Sequence, residues 1–220
     1  MKEIKIFTSF HKKTKRNYLE RMNNEKVFSM NVARKYGKDY WDGKRRYGYG
    51  GYSYIPNLLE PIAIKIIKNF NLSNNSKILD VGCGKGFLLY EIKRLLPKIT
   101  FQGFDISAYA IKNAKEEVKE KLFVHKAQDK YPFKNKYFDL VISFNCLHNL
   151  KIYEIKEAVS EINRVAKKSF IVVESYKSTK QLFNLQCWAL TANAFFERSE
   201  WLWILKNFNY DGFYEFIYFD

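Results

Sequence analysis

The feature that most constrains the fold is an alternation of short apolar segments with amphipathic ones between residues 58 and 174. The apolar segments have the length of strands, whereas the segments between them carry apolar residues at helical spacing. Such alternation predicts βαβ units, in which the strands run parallel and the helices cover the sheet. The predicted strands are 77–81, 100–105, 122–126, 138–143 and 170–174, and the predicted helices are 58–70, 88–96, 108–119 and 152–166.

The tail adds one more helix and one more strand. Ser199 is the predicted N-cap of a helix that runs to about Phe208, and a last strand covers residues 213–219. The whole pattern predicts an α/β fold: a three-layer, doubly wound, mostly parallel sheet of six or seven strands, with helices on both faces and an antiparallel last strand. Ligands of such sheets bind at the carboxyl ends of the strands, so we expect functional residues just after each strand.

A glycine-rich loop follows the first predicted strand of the sheet. Residues 80–86 read D-V-G-C-G-K-G, and glycines at alternate positions allow a sharp turn and the close approach of a ligand. A dinucleotide-binding fingerprint would require a further glycine at position 87, which is Phe87. An acid two residues before the first glycine is a poor neighbour for a pyrophosphate and a good one for a cation. The loop therefore indicates a ligand that is not a dinucleotide.

Polar residues also follow the next three strands. Asp105 ends the second strand, where a carboxylate can accept hydrogen bonds from both hydroxyls of a ribose. Gln128 and Asp129 follow the third strand, and Asp129 could accept from the exocyclic amine of an adenine. Asn145 and His148 follow the fourth strand.

This succession of motifs resembles class I S-adenosylmethionine-dependent methyltransferases over about residues 76–175. The resemblance implies that the glycine loop lies under the methionine part of the cofactor, with Asp80 facing its ammonium. Asp105 would hold the ribose, Ile106 would pack on the adenine and Asp129 would reach the adenine amine. S-adenosylhomocysteine would be the product. The implied cofactor-binding residues are Asp80, Gly82, Cys83, Gly84, Gly86, Asp105, Ile106, Gln128, Asp129 and Asn145.

Each acid also has a purely structural interpretation. Asp80 could cap the loop that follows it, and Asp129 could cap a turn before Pro132. Asp105, followed by Ser107, could be part of a helix N-cap. The two interpretations of each residue are not exclusive.

His148 is the candidate catalytic residue. It follows the fourth strand, where the methyl group and its acceptor should meet, and a neutral imidazole could take the proton of the acceptor near physiological pH. The alternative is a histidine that is hydrogen-bonded in place without a catalytic part.

The sequence after the fourth strand restricts the methyl acceptor. Adenine-amine methyltransferases carry Asn/Asp-Pro-Pro-aromatic there, whereas residues 145–148 of this chain read N-C-L-H. A cytosine-carbon enzyme would carry a Pro-Cys nucleophile, and Cys146 is preceded by Asn145. The resemblance is therefore to the branch that acts on small molecules, and the prediction is transfer to oxygen or nitrogen of a small polar metabolite or sugar.

Residues 1–54 form a basic and then aromatic extension before the cofactor-binding domain, which is predicted to cover residues 55–220. Extensions at this position in the family commonly fold over the cofactor, so Arg46, Tyr49 and Tyr52 are predicted to belong to a lid over the substrate. Glycines nearby would allow that segment to move. The alternative is a covering that packs permanently on the core.

The net charge of +15 leaves a second function open. An RNA-modifying methyltransferase, or a subunit that binds RNA, would use such charge on phosphates and the aromatic residues as stacking platforms. The lysines are spread along the whole chain, which favours a compositional origin and disfavours a nucleic-acid partner.

Other composition features exclude several classes of protein. The three cysteines are widely separated and form no CxxC pair, so we expect no metal site and no disulfide framework, and a cytoplasmic location. No apolar segment reaches the length of a membrane span, and the N-terminus lacks the apolar core of a secretory signal.

Overall fold

The computed structural model describes residues 1–12 and 14–220, and a seven-stranded sheet lies at its centre. All pairings between its strands are parallel, and their order across the sheet is β1-β7-β6-β5-β2-β3-β4. The strands are β1 (Lys2–Glu3), β2 (Lys77–Val81), β3 (Thr100–Asp105), β4 (Leu122–Val124), β5 (Phe138–Phe144), β6 (Ala166–Glu174) and β7 (Phe213–Ile217).

Helices cover both faces of the sheet and fill the N-terminal segment. They are α1 (Thr8–His11), α2 (Tyr18–Asn23), α3 (Lys26–Ala33), α4 (Lys38–Asp42), α5 (Glu60–Phe70), α6 (Phe87–Leu95), α7 (Ala108–Lys112), α8 (Glu116–Lys119), α9 (Ile152–Val165), α10 (Thr179–Trp188) and α11 (Arg198–Asn207). The predicted helix 108–119 is divided into α7 and α8. The N-cap of α11 is Glu197, in a capping box with Glu200, and not Ser199. None of the helices in the described part of the chain is long and apolar enough to cross a membrane.

The prediction of an antiparallel last strand is wrong. β7 pairs parallel with β6 through Phe170 and Phe213, and parallel with β1 through Lys2 and Phe213. The reason is the connection, because α10 and α11 carry the chain back to the starting edge of the sheet before β7 begins. Antiparallel neighbours are commonly joined by a short hairpin, whereas a crossover of this length gives a parallel strand.

The sheet separates two apolar cores, which confirms the three-layer arrangement. Alternate residues of β2, such as Ile78 and Leu79, point to opposite faces and are fully buried. On one face the core includes residues of α5, α6 and α10, and on the other it includes residues of α9 and α11. Strands buried on both faces explain why the sequence pattern of this sheet is continuous apolar runs.

The first residues of the chain are part of this core. Ile6 and Phe7 are each 1% exposed, and their backbone N–H groups donate to one carboxylate oxygen of Glu215 at 2.8 Å. Thr8 donates to the other oxygen through both its N–H and its hydroxyl. Glu215 is itself completely buried on β7. The predicted extension 1–54 therefore begins as the edge strand of the central sheet, and the residues that follow are buried in the core.

Candidate active site

Two adjoining cavities, of about 370 and 390 Å³, lie at the carboxyl ends of β2, β3, β5 and β6. Trp41, Gly82 and Asn145 line both of them. Of the predicted cofactor-binding residues, the first cavity also holds Asp80, Cys83 and Gly84, and the second also holds Asp105, Ile106 and Gln128. This position is where the strand order reverses between β2 and β5, which is where doubly wound sheets bind ligands.

The glycine loop turns sharply under the first cavity. Gly82 and Gly84 have φ angles of +81° and +56°, a region that other residues rarely adopt. A Cβ at Gly82 would lie 2.6 Å from the Cβ of Cys146, and one at Gly84 would lie 3.0 Å from the ring of Trp41. Both the positive φ angles and the lack of room for a Cβ therefore require glycine at these two positions.

Asp105 ties the end of β3 to the glycine loop. One carboxylate oxygen accepts from the N–H of Ser107 at 2.8 Å and the other from the N–H of Gly84 at 2.9 Å. Burial raises the pKa of Asp105, while these two hydrogen bonds act in the opposite direction. The N-cap of α7 is Ser107 and not Asp105, whose carboxylate accepts from the N–H of that residue. The same contacts hold the carboxylate at the edge of the second cavity.

Asp80 is a buried acid without a counter-charge. Its side chain is 4% exposed, and its Oδ1 has no hydrogen-bond partner in the described part of the protein. Burial, and then the nearby charge of Asp105, raises the pKa of Asp80 to about 8. A buried carboxylate of this kind is satisfied either by a proton or by a cation. The ammonium that the family resemblance places here would be such a cation.

Further unpartnered acceptors line the same two cavities. Asn145 has a left-handed backbone, with φ of +51°, and its buried Oδ1 accepts no hydrogen bond. The Oδ1 of Asn149 and the Oε1 of Gln128 are in the same situation. A buried polar atom without a partner costs about 1–3 kcal/mol, so these groups indicate a ligand that donates hydrogen bonds.

Two predicted cofactor contacts lie outside both cavities. Gly86 is the N-cap of α6, and a Cβ there would lie 2.7 Å from Leu122, so its role is the close packing of the helix start. Asp129 is exposed in a turn whose backbone closes onto the carbonyl of Lys126. Its neighbour Gln128 is the residue of this loop that lines the second cavity.

His148 and Glu174 form a pair in the first cavity. Nδ1 of His148 accepts from the backbone N–H of Glu174 at 3.2 Å, and Nε2 lies 3.5 Å from Oε2 of the same residue. Burial lowers the pKa of His148, and the charge of Glu174 partly opposes this effect. The neutral ring thus holds its proton on Nε2, towards the carboxylate. Sequence reasoning missed Glu174, although its position at the end of β6 fits the rule that placed the other candidates.

The aromatic segment is fastened over the glycine loop. Nζ of Lys85 donates to both oxygens of Asp42, at 2.8 and 2.7 Å, and to the carbonyl of Tyr52 at 2.8 Å. Nε1 of Trp41 donates to Oγ of Ser107 at 2.8 Å. The segment therefore touches the loop through an ion pair as well as through its rings.

The structure separates the three residues predicted to belong to a lid. Tyr49 and Tyr52 line the first cavity, and the ring of Tyr49 stacks on Trp41 with centroids 5.1 Å apart. Arg46 instead pairs with Glu25 and bonds the hydroxyl of Tyr47, outside both cavities. Its neighbour Arg45 lines the first cavity in its place. The short 3-10 turn Arg45–Tyr47 sends successive side chains in different directions, which the sequence could not reveal.

Comparisons with known proteins bear on this site. A family model described as a methyltransferase domain matches residues 78–169. The human mitochondrial arginine-hydroxylase NDUFAF5 is 29% identical over 122 residues, which cover 56% of this chain and 33% of that protein. The chain thus corresponds to about a third of the length of that relative.

Solved structures share the fold. An S-adenosylmethionine-dependent methyltransferase from Aquifex aeolicus superposes with a TM-score of 0.52 at 22% identity, over 70% of this chain and 82% of that one. Geranyl diphosphate C-methyltransferase from Streptomyces coelicolor A3(2), in complex with Mg²⁺, geranyl diphosphate and S-adenosylhomocysteine, superposes with a TM-score of 0.54 at 15% identity, over 68% and 60%. Residues 78–169 therefore match a methyltransferase domain, and the fold of the chain is the class I, Rossmann-like fold of the solved methyltransferases.

Proposed function

We propose that the chain is an S-adenosylmethionine-dependent methyltransferase that acts on oxygen or nitrogen of a small polar acceptor. The observation that carries the proposal is the unpartnered, buried carboxylate of Asp80 in the first cavity. Unpartnered acceptor atoms of Asn145 and Asn149 line the same cavity, which suits a ligand that carries a sulfonium and an ammonium.

The two cavities suggest how the chain would hold the cofactor. Asp105 and Ile106 would bind the ribose and the adenine in the second cavity. Gly82 and Gly84 would lie against the methionine part, with its ammonium at Asp80 in the first cavity. The cofactor would supply a methyl group on a positively charged sulfur, and the protein has to align an acceptor with it. Alignment alone can provide much of the acceleration.

The acceptor would lose its proton to the pair of His148 and Glu174. The ring of His148 already accepts a hydrogen bond at Nδ1 and presents a proton at Nε2, so the carboxylate is the group that is free to act as a base. Glu174 is also the more exposed of the two side chains, at 13% against 5%. We therefore assign proton removal to Glu174, with His148 orienting it.

Calorimetry with S-adenosylhomocysteine tests the proposed function directly. We expect the wild type to bind this product and Asp105→Ala to bind it less tightly by about 1.5–3 kcal/mol, the range for hydrogen bonds to a charged group. Asp129→Ala is the matched control, because this acid is exposed and lines neither cavity. An absence of binding to the wild type would overturn the proposal. Equal affinity of the Asp105 variant, in a folded state, would overturn the assignment of the ribose.

A further inference from the structure

The far end of the first cavity is basic and aromatic. Arg16, Arg21 and Arg45 all line it, and their guanidinium carbons lie 5.3, 4.9 and 5.0 Å from the centroid of the Trp188 ring. Arg16 also lies 5.2 Å from the ring of Phe219. Three positive charges thus surround one indole ring in the cavity that Asp80 also lines.

The hydrogen bonds of these arginines all go to neutral groups, and the charge of Glu174 acts on Arg16 without an ion pair. Arg16 donates to the carbonyls of His11 and Thr14 and contacts the ring of His11. Arg21 donates to the carbonyl of Arg45, and Arg45 to that of Gly48. Among residues 1–12 and 14–220, no carboxylate forms an ion pair with any of the three.

Bringing the three charges together has an electrostatic cost. Burial and the neighbouring charge of Arg45 lower the pKa of Arg21 to about 10. Burial and the charge of Arg16 lower the pKa of His11 to about 4, so this ring stays neutral and adds no charge of its own. The buried Nε atoms of Arg16 and Arg21 have no hydrogen-bond partner among the residues that the structure describes. An anion in the cavity would relieve both the repulsion and the missing hydrogen bonds.

The cluster is held in a fixed place. Trp188 is the last residue of α10, and Nζ of Lys26 donates to the carbonyls of Cys187 and Ala189 on either side of it, at 2.7 and 2.5 Å. Arg16 and Arg21 flank or lie on α2, which packs against α10. The position of the charges is therefore set by packing between the N-terminal segment and the tail.

We infer that this end of the cavity binds a phosphoryl group of the methyl acceptor, so that the substrate is a small phosphorylated molecule. Guanidinium groups match the oxygens of a phosphate through paired hydrogen bonds, and three of them suit its double negative charge. The arginines lie within a cavity of about 370 Å³ and face an indole ring, which fits a small molecule better than a polymer. This inference rests on the proposed function, since it names the substrate class of the same site.

Calorimetry of the full chain saturated with S-adenosylhomocysteine, with inorganic pyrophosphate as the probe, tests the inference. We expect the wild type to bind pyrophosphate and both Arg16→Gln and Arg21→Gln to bind it at least tenfold more weakly. Arg46→Gln is the matched control, because it removes the same charge one residue from Arg45 but outside the cavity, and its affinity should stay within twofold of the wild type.

The outcomes separate the possibilities. Failure to bind S-adenosylhomocysteine refutes the proposed function, whereas binding of the product without binding of pyrophosphate refutes only the phosphoryl site. An equal loss of affinity in Arg46→Gln would show a general effect of charge and would overturn the site. A short single-stranded RNA that binds more tightly than pyrophosphate through the same two arginines would overturn the small-molecule assignment. Thermal melts of each variant check that the chain is folded, and the wild-type measurement decides the inference by itself.

Discussion

The two ends of the first cavity are built in different ways. At one end, Asp80 is supplied by the end of β2, within the sheet, whereas Glu174, at the end of β6, is close enough to Arg16 for its charge to oppose the lowering of the pKa of that arginine by burial. At the other end, Arg16, Arg45 and Trp188 come from the first 54 residues and from the tail, which are distant in sequence. Asp80 lies within residues 78–169, which the family model matches, whereas Glu174, Arg16, Arg45 and Trp188 lie outside that range.

This difference suggests that different parts of the chain would bind the methyl donor and the methyl acceptor. In the proposed function, the end made from strands would offer hydrogen-bond acceptors to the cationic methyl donor. The end made from the N-terminal segment and the tail would offer hydrogen-bond donors to an anionic methyl acceptor. A cavity that is acidic at one pole and basic at the other would orient a phosphorylated substrate with its phosphate away from the sulfonium. Three experiments probe the two ends separately.

Removal of residues 1–54 has the largest expected effect. The deletion takes away Ile6 and Phe7, each worth about 1.5–3 kcal/mol when buried, and leaves the buried carboxylate of Glu215 without its donors. Loss of partners for a buried charge costs about 3–5 kcal/mol more, so the sum approaches the whole stability of a typical domain. We expect no cooperative thermal transition, as measured by circular dichroism.

A separable lid predicts the opposite result. A truncated chain that melts cooperatively and has lost only its activity would show that the segment is a removable cover. Glu215→Gln in the full chain is the companion variant, since it weakens the anchoring of Thr8 and its neighbours without deleting the apolar side chains. It should lower the melting temperature by less than the truncation does.

The second largest expected effect is on turnover, when Glu174 at the end of β6 or His148 beside it is substituted. Glu174→Gln should lower the rate by roughly 10²–10⁴-fold, and His148→Ala should lower it less because this residue orients the carboxylate; both should leave the affinity for S-adenosylhomocysteine unchanged. Burial lowers the pKa of His148, so the ring is neutral at pH 7 and the rate of the wild type should decline only in acid. A pH–rate profile, with the exposed Glu157→Gln as control, measures this.

The acid limb of that profile distinguishes the two members of the pair. If Glu174 is the base, the limb disappears in Glu174→Gln and shifts in His148→Ala, because the ring no longer orients the carboxylate. A limb that persists unchanged in both variants would show that neither residue removes the proton.

The smallest effect concerns the stability of the acidic end without its ligand. The pKa of Asp80 is about 8 in the folded chain and near 3.8 when unfolded, so the folded state keeps a proton that the unfolded state loses. The stability of the wild type should therefore fall between about pH 4 and pH 8. Asp80→Asn removes this cost and should be more stable by roughly 1–4 kcal/mol at pH 8, with the difference vanishing towards pH 4.

Urea unfolding of both proteins across this range provides the measurement, with Asp211→Asn, an exposed acid, as control. Saturating S-adenosylhomocysteine should reverse the order at pH 8, because an ammonium at Asp80 stabilises its charge. A variant that is no more stable than the wild type at any pH would contradict the raised pKa.

Much of the sheet was predictable because its strands are local and buried on both faces. The predicted bounds of β2 and β3 agree with the structure, and β5 is one residue longer than predicted. The direction of β7 was not predictable in the same way, since it depends on how α10 and α11 return the chain and not on the apolar residues of the strand. β1 was missed because two residues carry no pattern.

The predictions for the candidate site show the same difference between local pattern and tertiary packing. Asp105 and Asn145 follow strands, so the rule for strand ends brings them to the cavities as expected. Gly86 was assigned to the ligand because its spacing fits a motif, but its neighbours are side chains of the core. Arg46 was preferred to Arg45 although only the orientation of the turn could distinguish them.

The sequence by itself determined the parallel sheet, the glycine loop and the acids at the strand ends, because hydrophobic periodicity and backbone requirements act over a few residues. Only the tertiary structure decided that Arg16, Arg21 and Arg45 meet around Trp188, and that Glu174 lies against His148. Those contacts join residues far apart in the chain, and long-range packing rather than local preference selects them. In the proposed function, local motifs therefore specify the methyl donor, whereas the methyl acceptor would be selected by the way in which the two ends of the chain fold together.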